Sequence, residues 1–486
     1  MRTVLRRGVP AVLAAALIAL PATVLAARQR PASTPRPVPA SDWATYHHDV
    51  LRTGDGVIHG TYGTLAPKVT WSLPTATALE RSDEIYASPL VVGTTAFVTT
   101  LENRVYAISL TTHRTLWSRA LGGPYTPPPN GSGNCGDIHP YVGIVSTPVI
   151  DEGRGELFVV ADVGTGTGGL TPQHRLFGLS TTTGKVRLDR IVDPAGQSIV
   201  HLLQRTSLAI AKGRVIFGFG GNAGDCGTYH GWVISVPEAG TGAIDRFEVA
   251  AKPGQGQGAV WMGGAAPVVY GGNVYVSDGN GSSTLATDTY DYSDAVLKLS
   301  PTMRLLDWFA PTTWWSDNAH DYDLGSSAPQ LLPDGKMIAI GKTQKVYVLN
   351  PNDLGHIDGS VPTFPLCTEG TTAIGKDAQG GDAIVGGLVV VGCQGGLDAV
   401  TYSSSPPYGT KAWTQPATGG SPVYGGGLIW SVSASKGILY GLVPTTGAVK
   451  LQYPVGPVQN HFPTPAIGDN MVLVATDTSL LGFPPG

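Results

Sequence analysis

A chain of 486 residues, 42% hydrophobic and only 14% charged, carries enough apolar material for a large core and is excluded from the disordered class. Its 31 basic and 35 acidic residues leave a formal charge of −4 without long runs, so it has no basic stripe with which to neutralise a nucleic-acid backbone. The 66 glycines and 38 prolines point to many tight turns between short strands.

The first feature in chain order is an address. Arg2, Arg6 and Arg7 precede an apolar run from Val9 to Ala26, and Val24-Leu25-Ala26 offers the residues a signal peptidase needs. Residues 1–26 read as a signal peptide, with an uncleaved anchor as the alternative because the run approaches membrane-spanning length. Residues 27–40, with Pro31, Pro35, Pro37 and Pro39, read as an extended linker. The expected location is secreted, periplasmic or outside a membrane on that anchor, which is the only membrane contact expected.

From residue 41 to residue 486 one pattern recurs: a small residue and Pro, an apolar run, a Gly-containing turn, then two more β-rich runs. It begins as ASPLVVGTTAFVTT then RVYAISL, as STPVIDEGRGELFVVAD then HRLFGLS, and as TSLAIAKGRVIFGFG then GWVISV. It continues as AAPVVYGGNVYVSDGNG then AVLKLS, SAPQLLPDGKMIAIG then KVYVLN, and AIVGGLVVVGC then LDAVTY. GSPVYGGGLIWSV then ILYGL, and TPAIGDNMVLVAT then SLLGF, make eight copies. Each supplies three strands, and the segment that follows a copy, such as TLWSRAL from Thr115, supplies a fourth. The eighth copy has no follower, but an orphan strand, Lys68 to Leu73, stands before the first. The prediction is an all-β, eight-bladed β-propeller whose N-terminal strand closes the last blade and so leaves no open edge. A β-sandwich is the rival, and eight copies of one four-strand unit are hard to place in it. Most tryptophans, among them Trp43, Trp71 and Trp430, fall at strand positions and read as packing between blades.

Four cysteines in an exported chain suggest two disulfides. Cys135 and Cys226 lie in Gly-rich loops at similar places in neighbouring repeats, and Cys367 and Cys393 flank one later repeat. The expected pairs are therefore Cys135 with Cys226 and Cys367 with Cys393, with free thiols as the alternative.

Polar residues are sparse, and those in Gly-rich stretches at repeat junctions converge in a propeller on the central channel. Asp162 follows LFVVA, Asn280 sits in SDGNGSS, Asp321 and Asp323 sit in NAHDYDLGSS, and Lys342 ends the strand MIAIG. Carboxylate and amide oxygens suit a hard cation, and a lysine suits an anion. Taken singly, each Asp or Asn also fits an ordinary turn.

The order of these residues resembles that in the pyrroloquinoline quinone (PQQ) dependent alcohol dehydrogenases, and most nearly the polyvinyl-alcohol-dehydrogenase type. The likeness spans about Ser41 to Phe483 and is most specific from Gly258 to Asn350. It implies calcium ligands at Asp162 (VADVG), Asn280 (VYVSDGNG) and Asp321. It further implies a Trp under the quinone plane at Trp261 (GAVWMGG), a catalytic Asp at Asp321 (HDYDLG), and a charge-stabilising Lys at Lys342 (KTQKVYVLN), which also contacts the cofactor. The implied activity is oxidation of a small-molecule or polymeric alcohol, with PQQ and Ca2+ as cofactors and an external electron acceptor. This chain departs from the pattern in lacking an adjacent Cys-Cys pair and a haem-attachment site, in having Tyr86 where a first-blade Glu is usual, and in having Asp for Glu at Asp162. The alternative function is a non-catalytic propeller that holds a partner. His47, His48, His139, His230 and His320 are dispersed, so zinc is not expected. The GTGTGG run after Asp162 has no helix behind it and reads as a loop, not a dinucleotide site.

Overall fold

The computed structural model describes Met1 and residues 42–74, 83–128, 136–368 and 377–486. The signal peptide and linker expected over 1–40 lie outside the described residues, as does Cys135. No helix among the described residues is long and apolar enough to cross a membrane.

Eight antiparallel sheets stand around one axis as an eight-bladed β-propeller. The first blade shows the plan: Leu90–Val92 innermost, then Thr95–Thr99, Arg104–Ser109 and, outermost, Thr115–Ala120. Burial follows radius. The middle strands lie between neighbouring blades and are apolar on both faces, whereas Thr115–Ala120 is nearly all exposed. The Pro of the recurring small-Pro step stands just before an inner strand at Pro89, Pro148, Pro267, Pro422 and Pro465, where a missing N–H interrupts no ladder. Two blades are enlarged. Leu202–Leu203 extends the third, and His356–Ile357 adds a short parallel strand outside the fourth.

The ring closes as the repeats predict. Val69–Ser72 pairs antiparallel with Ser479–Phe483, in the register Val69 with Gly482, as the outer strand of the eighth blade. Upstream of this closing strand, residues 42–58 cross the channel. Trp43 bridges Val91 of the first blade, Ala44 accepts from Ile150 of the second, and Val50 accepts from Val269 of the fourth. Thr53 then accepts from Ile384 of the sixth blade, and Gly54 from Tyr424 of the seventh. Gly56 lies so close to Ile467 of the eighth that a Cβ would stand 2.6 Å from that side chain. Arg52, 1% exposed, ties this segment down. Its guanidinium donates to the Pro267 carbonyl through Nε and Nη2 and to Thr45 Oγ1 and the Tyr46 and Asp49 carbonyls through Nη1.

Cys367 and Cys393 form the expected disulfide, with Cα atoms 5.5 Å apart. Cys226 is also disulfide-bonded. The seven-residue α-helix Trp314–His320 was not expected, being too short for periodicity to reveal. The GTGTGG run forms the tip of a hairpin between Glu156–Thr165 and Thr171–Ser180.

Candidate functional site

The channel opens at one end into a cavity of about 270 Å³, close to the lower limit for small-molecule sites. Its walls come from junctions of the third, fourth, fifth and eighth blades, and include Arg205, Asp225, Trp261, Asn280, Asp321, Asp323, Lys342 and Phe462. Four of the five residues marked in the sequence therefore meet here: Trp261, Asn280, Asp321 and Lys342. A water-sized chamber of about 20 Å³ lies deeper, shares Arg205 and Phe462 with the cavity, and is lined by Tyr46 of the crossing segment. That segment is thus the floor.

Each side chain owes its place to a local device. Asn280 leaves the end of the buried strand Asn273–Ser277, and its backbone N–H donates to Asp323 Oδ1 at 2.8 Å. Asp321 ends the Trp314–His320 helix in the left-handed region at φ 58°, a conformation Asp tolerates better than most residues. Lys342 follows Met337–Ile340, and Gly341 before it is required: a Cβ there would stand 2.1 Å from the Asp323 carbonyl oxygen. This close approach brings the Lys342 ammonium 2.8 Å from Asp321 Oδ1 and 2.9 Å from Asp323 Oδ2, and 5.8 Å from the centre of the Trp261 ring. Trp261 in turn leans on Phe462, with ring centres 5.9 Å apart.

Charge in the cavity is unbalanced. Arg205 is neutralised by Asp137, with Nη2 at 3.0 and 3.1 Å from the two carboxylate oxygens, and is flanked by the Tyr86 and Phe462 rings. That leaves Asp225, Asp321 and Asp323 facing the single ammonium of Lys342. Burial opposes the Lys342 charge, but Asp323 and Asp321 outweigh it and hold the ammonium above its usual range. Burial and then Asp323 raise Asp321 above its ordinary carboxylate range, with Lys342 pulling the other way. Burial likewise raises Asp225, with Asp323 and Asp321 adding repulsion against a hydrogen bond from Tyr229. Behind the cavity, Asp278 and Asp294 are fully buried, and burial pushes both well above the ordinary range.

Three polar groups on the walls are not satisfied among the described residues. The buried Arg205 Nε donor has no hydrogen-bond partner, and the Asn280 carboxamide, on a residue 9% exposed that lines the cavity, makes no hydrogen bond to another described residue. Asp225 accepts from Tyr229 Oη at 2.5 Å through Oδ1, which leaves Oδ2 unengaged. Such groups cost free energy unless a ligand or water meets them.

Asp162 is the marked residue that the structure places apart. It is 4% exposed near the end of Glu156–Thr165, directly across the ladder from His174. Its Oδ2 lies 3.7 Å from His174 Nε2, and His174 Nδ1 lies 2.9 Å from Asp193 Oδ1. Burial raises the Asp162 carboxyl to about 6, opposed by His174. It does not line the cavity. Sequence reading passed over Asp225, Arg205 and Phe462: Asp225 sits in a Gly-rich loop where a turn explains it, and the other two have no local signature. As for other metals, the only three-ligand group within 4.8 Å among the described residues is Cys367, Cys393 and Asp398, and its two sulfurs are bonded to each other.

Solved structures with this fold include two dehydrogenases and a BamB. Quinohemoprotein alcohol dehydrogenase from Comamonas testosteroni superposes with a TM-score of 0.67 at 16% identity, over 91% of this chain and 80% of that one. A europium-containing methanol dehydrogenase gives 0.62 at 16% identity, over 90% and 91%. BamB from Moraxella catarrhalis gives 0.52 at 14% identity, over 87% and 98%. At these identities the likeness is one of fold. No curated protein matches the sequence. Residues 89–353, more than half of the chain, match the PQQ_2 family model, described as outer membrane protein assembly factor BamB, and the chain belongs to that family of PQQ-type propellers.

Proposed function

We propose that the protein is an exported oxidoreductase that oxidises an alcohol with PQQ and calcium in the cavity at the channel mouth, passing electrons to an external acceptor. The observation that carries this reading is the meeting of Trp261, Asn280, Asp321 and Lys342 in one cavity. The residues present suit the cofactors. The unpartnered Asn280 carboxamide and the surplus of carboxylates suit a hard cation, while the unpartnered Arg205 Nε and the Lys342 ammonium suit an anionic ring system stacked on Trp261.

When bound, PQQ supplies the hydride acceptor and calcium the Lewis acid that polarises it. The protein's own part is positional and electrostatic. Trp261 offers a ring face fixed by Phe462. Lys342, kept charged by Asp321 and Asp323, stabilises negative charge that grows beside it. Asp321, raised by burial and by Asp323, takes the proton from the substrate hydroxyl, since a base nearer neutrality transfers protons more effectively.

The test is dye reduction by purified protein supplied with calcium and PQQ, across small and polymeric alcohols. The expected result is turnover that Asp321→Asn lowers by about 100-fold or more. Absence of dye reduction with every alcohol overturns the reading. A second reading, a propeller that holds a protein partner, is favoured by the family's description as an assembly factor. It predicts no change in PQQ absorbance or fluorescence on mixing.

A further inference from the structure

The structure leaves open which acid completes a cation site at the channel mouth. The residue marked for it, Asp162, does not line the cavity: it lies in the second blade with Oδ2 3.7 Å from His174 Nε2, and its Oδ1 has no hydrogen-bond partner among the described residues. The oxygens that face the cavity without a partner among the described residues are the Asn280 carboxamide oxygen, Asp225 Oδ2, and Asp321 Oδ2, whose companion Oδ1 meets Lys342. Asn280 is the decisive one. It is nine-tenths buried and lines the cavity, and its carboxamide makes no hydrogen bond to another described residue.

Asp225, whose N–H donates to the Asn222 carbonyl, closes a turn with its carboxylate held as well. It lies in the left-handed region at φ 49°. Tyr229 Oη pins one carboxylate oxygen, and the next residue, Cys226, is anchored by a disulfide. Tyr229 is itself 1% exposed and packed in the core of the third blade. One oxygen is thus fixed by Tyr229 while the other, on a residue that lines the cavity, makes no hydrogen bond to a described residue, an arrangement that suits a metal-binding carboxylate supported by a second residue. Charge agrees, because Arg205 is occupied by Asp137 and only Lys342 offsets Asp225, Asp321 and Asp323.

We propose that Asp225, not Asp162, is the acidic ligand of a divalent cation such as calcium at this cavity, acting with Asn280 and Asp321. The assignment rests on the cavity reading given under Proposed function, but it is tested without quinone and without turnover. Asp162 then serves the second blade, as the buried partner of His174.

The experiment is calorimetric titration of the chelator-treated full chain with calcium chloride alone. The wild type is expected to bind one calcium per chain, Asp225→Asn to weaken binding by at least about tenfold, and Asp162→Asn to leave it within about twofold. Asn280→Ala is expected to weaken binding by a similar factor to Asp225→Asn. If Asp225→Asn does not fold, Asp225→Ser replaces it: a folded variant weakened by at least about tenfold supports the assignment, and a folded one that binds calcium as the wild type does overturns it. The assignment also fails if the wild type binds no calcium, if Asp225→Asn binds as the wild type does, or if Asp162→Asn loses as much affinity as Asp225→Asn. A protein that binds calcium through Asp225 yet takes up no PQQ overturns the oxidoreductase reading and leaves this one standing.

Discussion

At the floor of the channel, Arg52 directs its guanidinium donors to the Pro267, Tyr46 and Asp49 carbonyls and to the Thr45 hydroxyl. At the mouth, Asn280, Asp225 and Arg205 each keep a polar atom with no partner among the described residues. Both ends are rich in polar groups, and the floor too has ones unmet among the described residues, at Trp43 Nε1, His47 Nε2, His48 Nδ1 and Asp382; the contrast is between the Arg52 guanidinium, which the chain meets, and the mouth groups, which it does not. The difference separates polar groups that hold the fold from those that wait for something else. A buried hydrogen bond to a charged group contributes about 1.5–3 kcal/mol, and a buried group left unmet costs about as much.

The comparison breaks first, if it is wrong, at Arg52. Arg52→Ala strips four protein acceptors of their donor and is expected to cost about 3–5 kcal/mol, read as a lower urea midpoint at unchanged slope. A loss under about 1 kcal/mol would mean that the floor is not held by this residue.

Asp382 sharpens the contrast, because it is an unmet acid at the floor. It is fully buried beside the crossing segment, its backbone carbonyl lies 3.1 Å from His47 Nδ1, and neither carboxylate oxygen has a partner among the described residues. Burial raises its carboxyl from 3.8 to about 8. At neutral pH the folded state therefore keeps a proton that the unfolded state has lost. Stability contributed by this group is full below 3.8 and falls as pH rises toward about 8. Asp382→Asn removes that slope, so between pH 5 and 7 the wild type should lose about 2–3 kcal/mol more than the variant. Parallel pH profiles for the two proteins would show that Asp382 ionises freely when folded.

The smallest effect belongs to the mouth. The Asp321 side chain is 65% exposed and its ion pair with Lys342 is open to water, so Asp321→Asn should change stability by less than about 1 kcal/mol. A larger loss would assign Asp321 to the fold.

What the sequence made legible follows the same division. The eight blades, the closing strand near Val69 and the Cys367–Cys393 bond were readable because each leaves a local mark: alternation, a small-Pro step, a pair of cysteines flanking one repeat. The crossing segment was not, since residues 42–58 carry no period and their partners lie on blades spread along the whole chain. Asp162 and Asp225 show the limit within the site. Each is an Asp beyond an apolar strand, and only the ladder register that sets Asp162 against His174, together with the loop that turns Asp225 to the cavity, tells them apart. Neither register nor loop path is encoded in the few residues around them.

The seal between Val69–Ser72 and Ser479–Phe483 joins some of the first described residues to some of the last, and Tyr46 meets Thr464 across 418 positions. Within a blade, by contrast, neighbouring strands follow one another directly. Synthesis therefore delivers seven blades able to form from contacts of short range, while residues 42–72 have no partner in the eighth until its strands emerge. The ring can be enclosed only once the eighth blade is made, and a chain stopped before Ala466 lacks the strands with which Val69–Ser72 pairs.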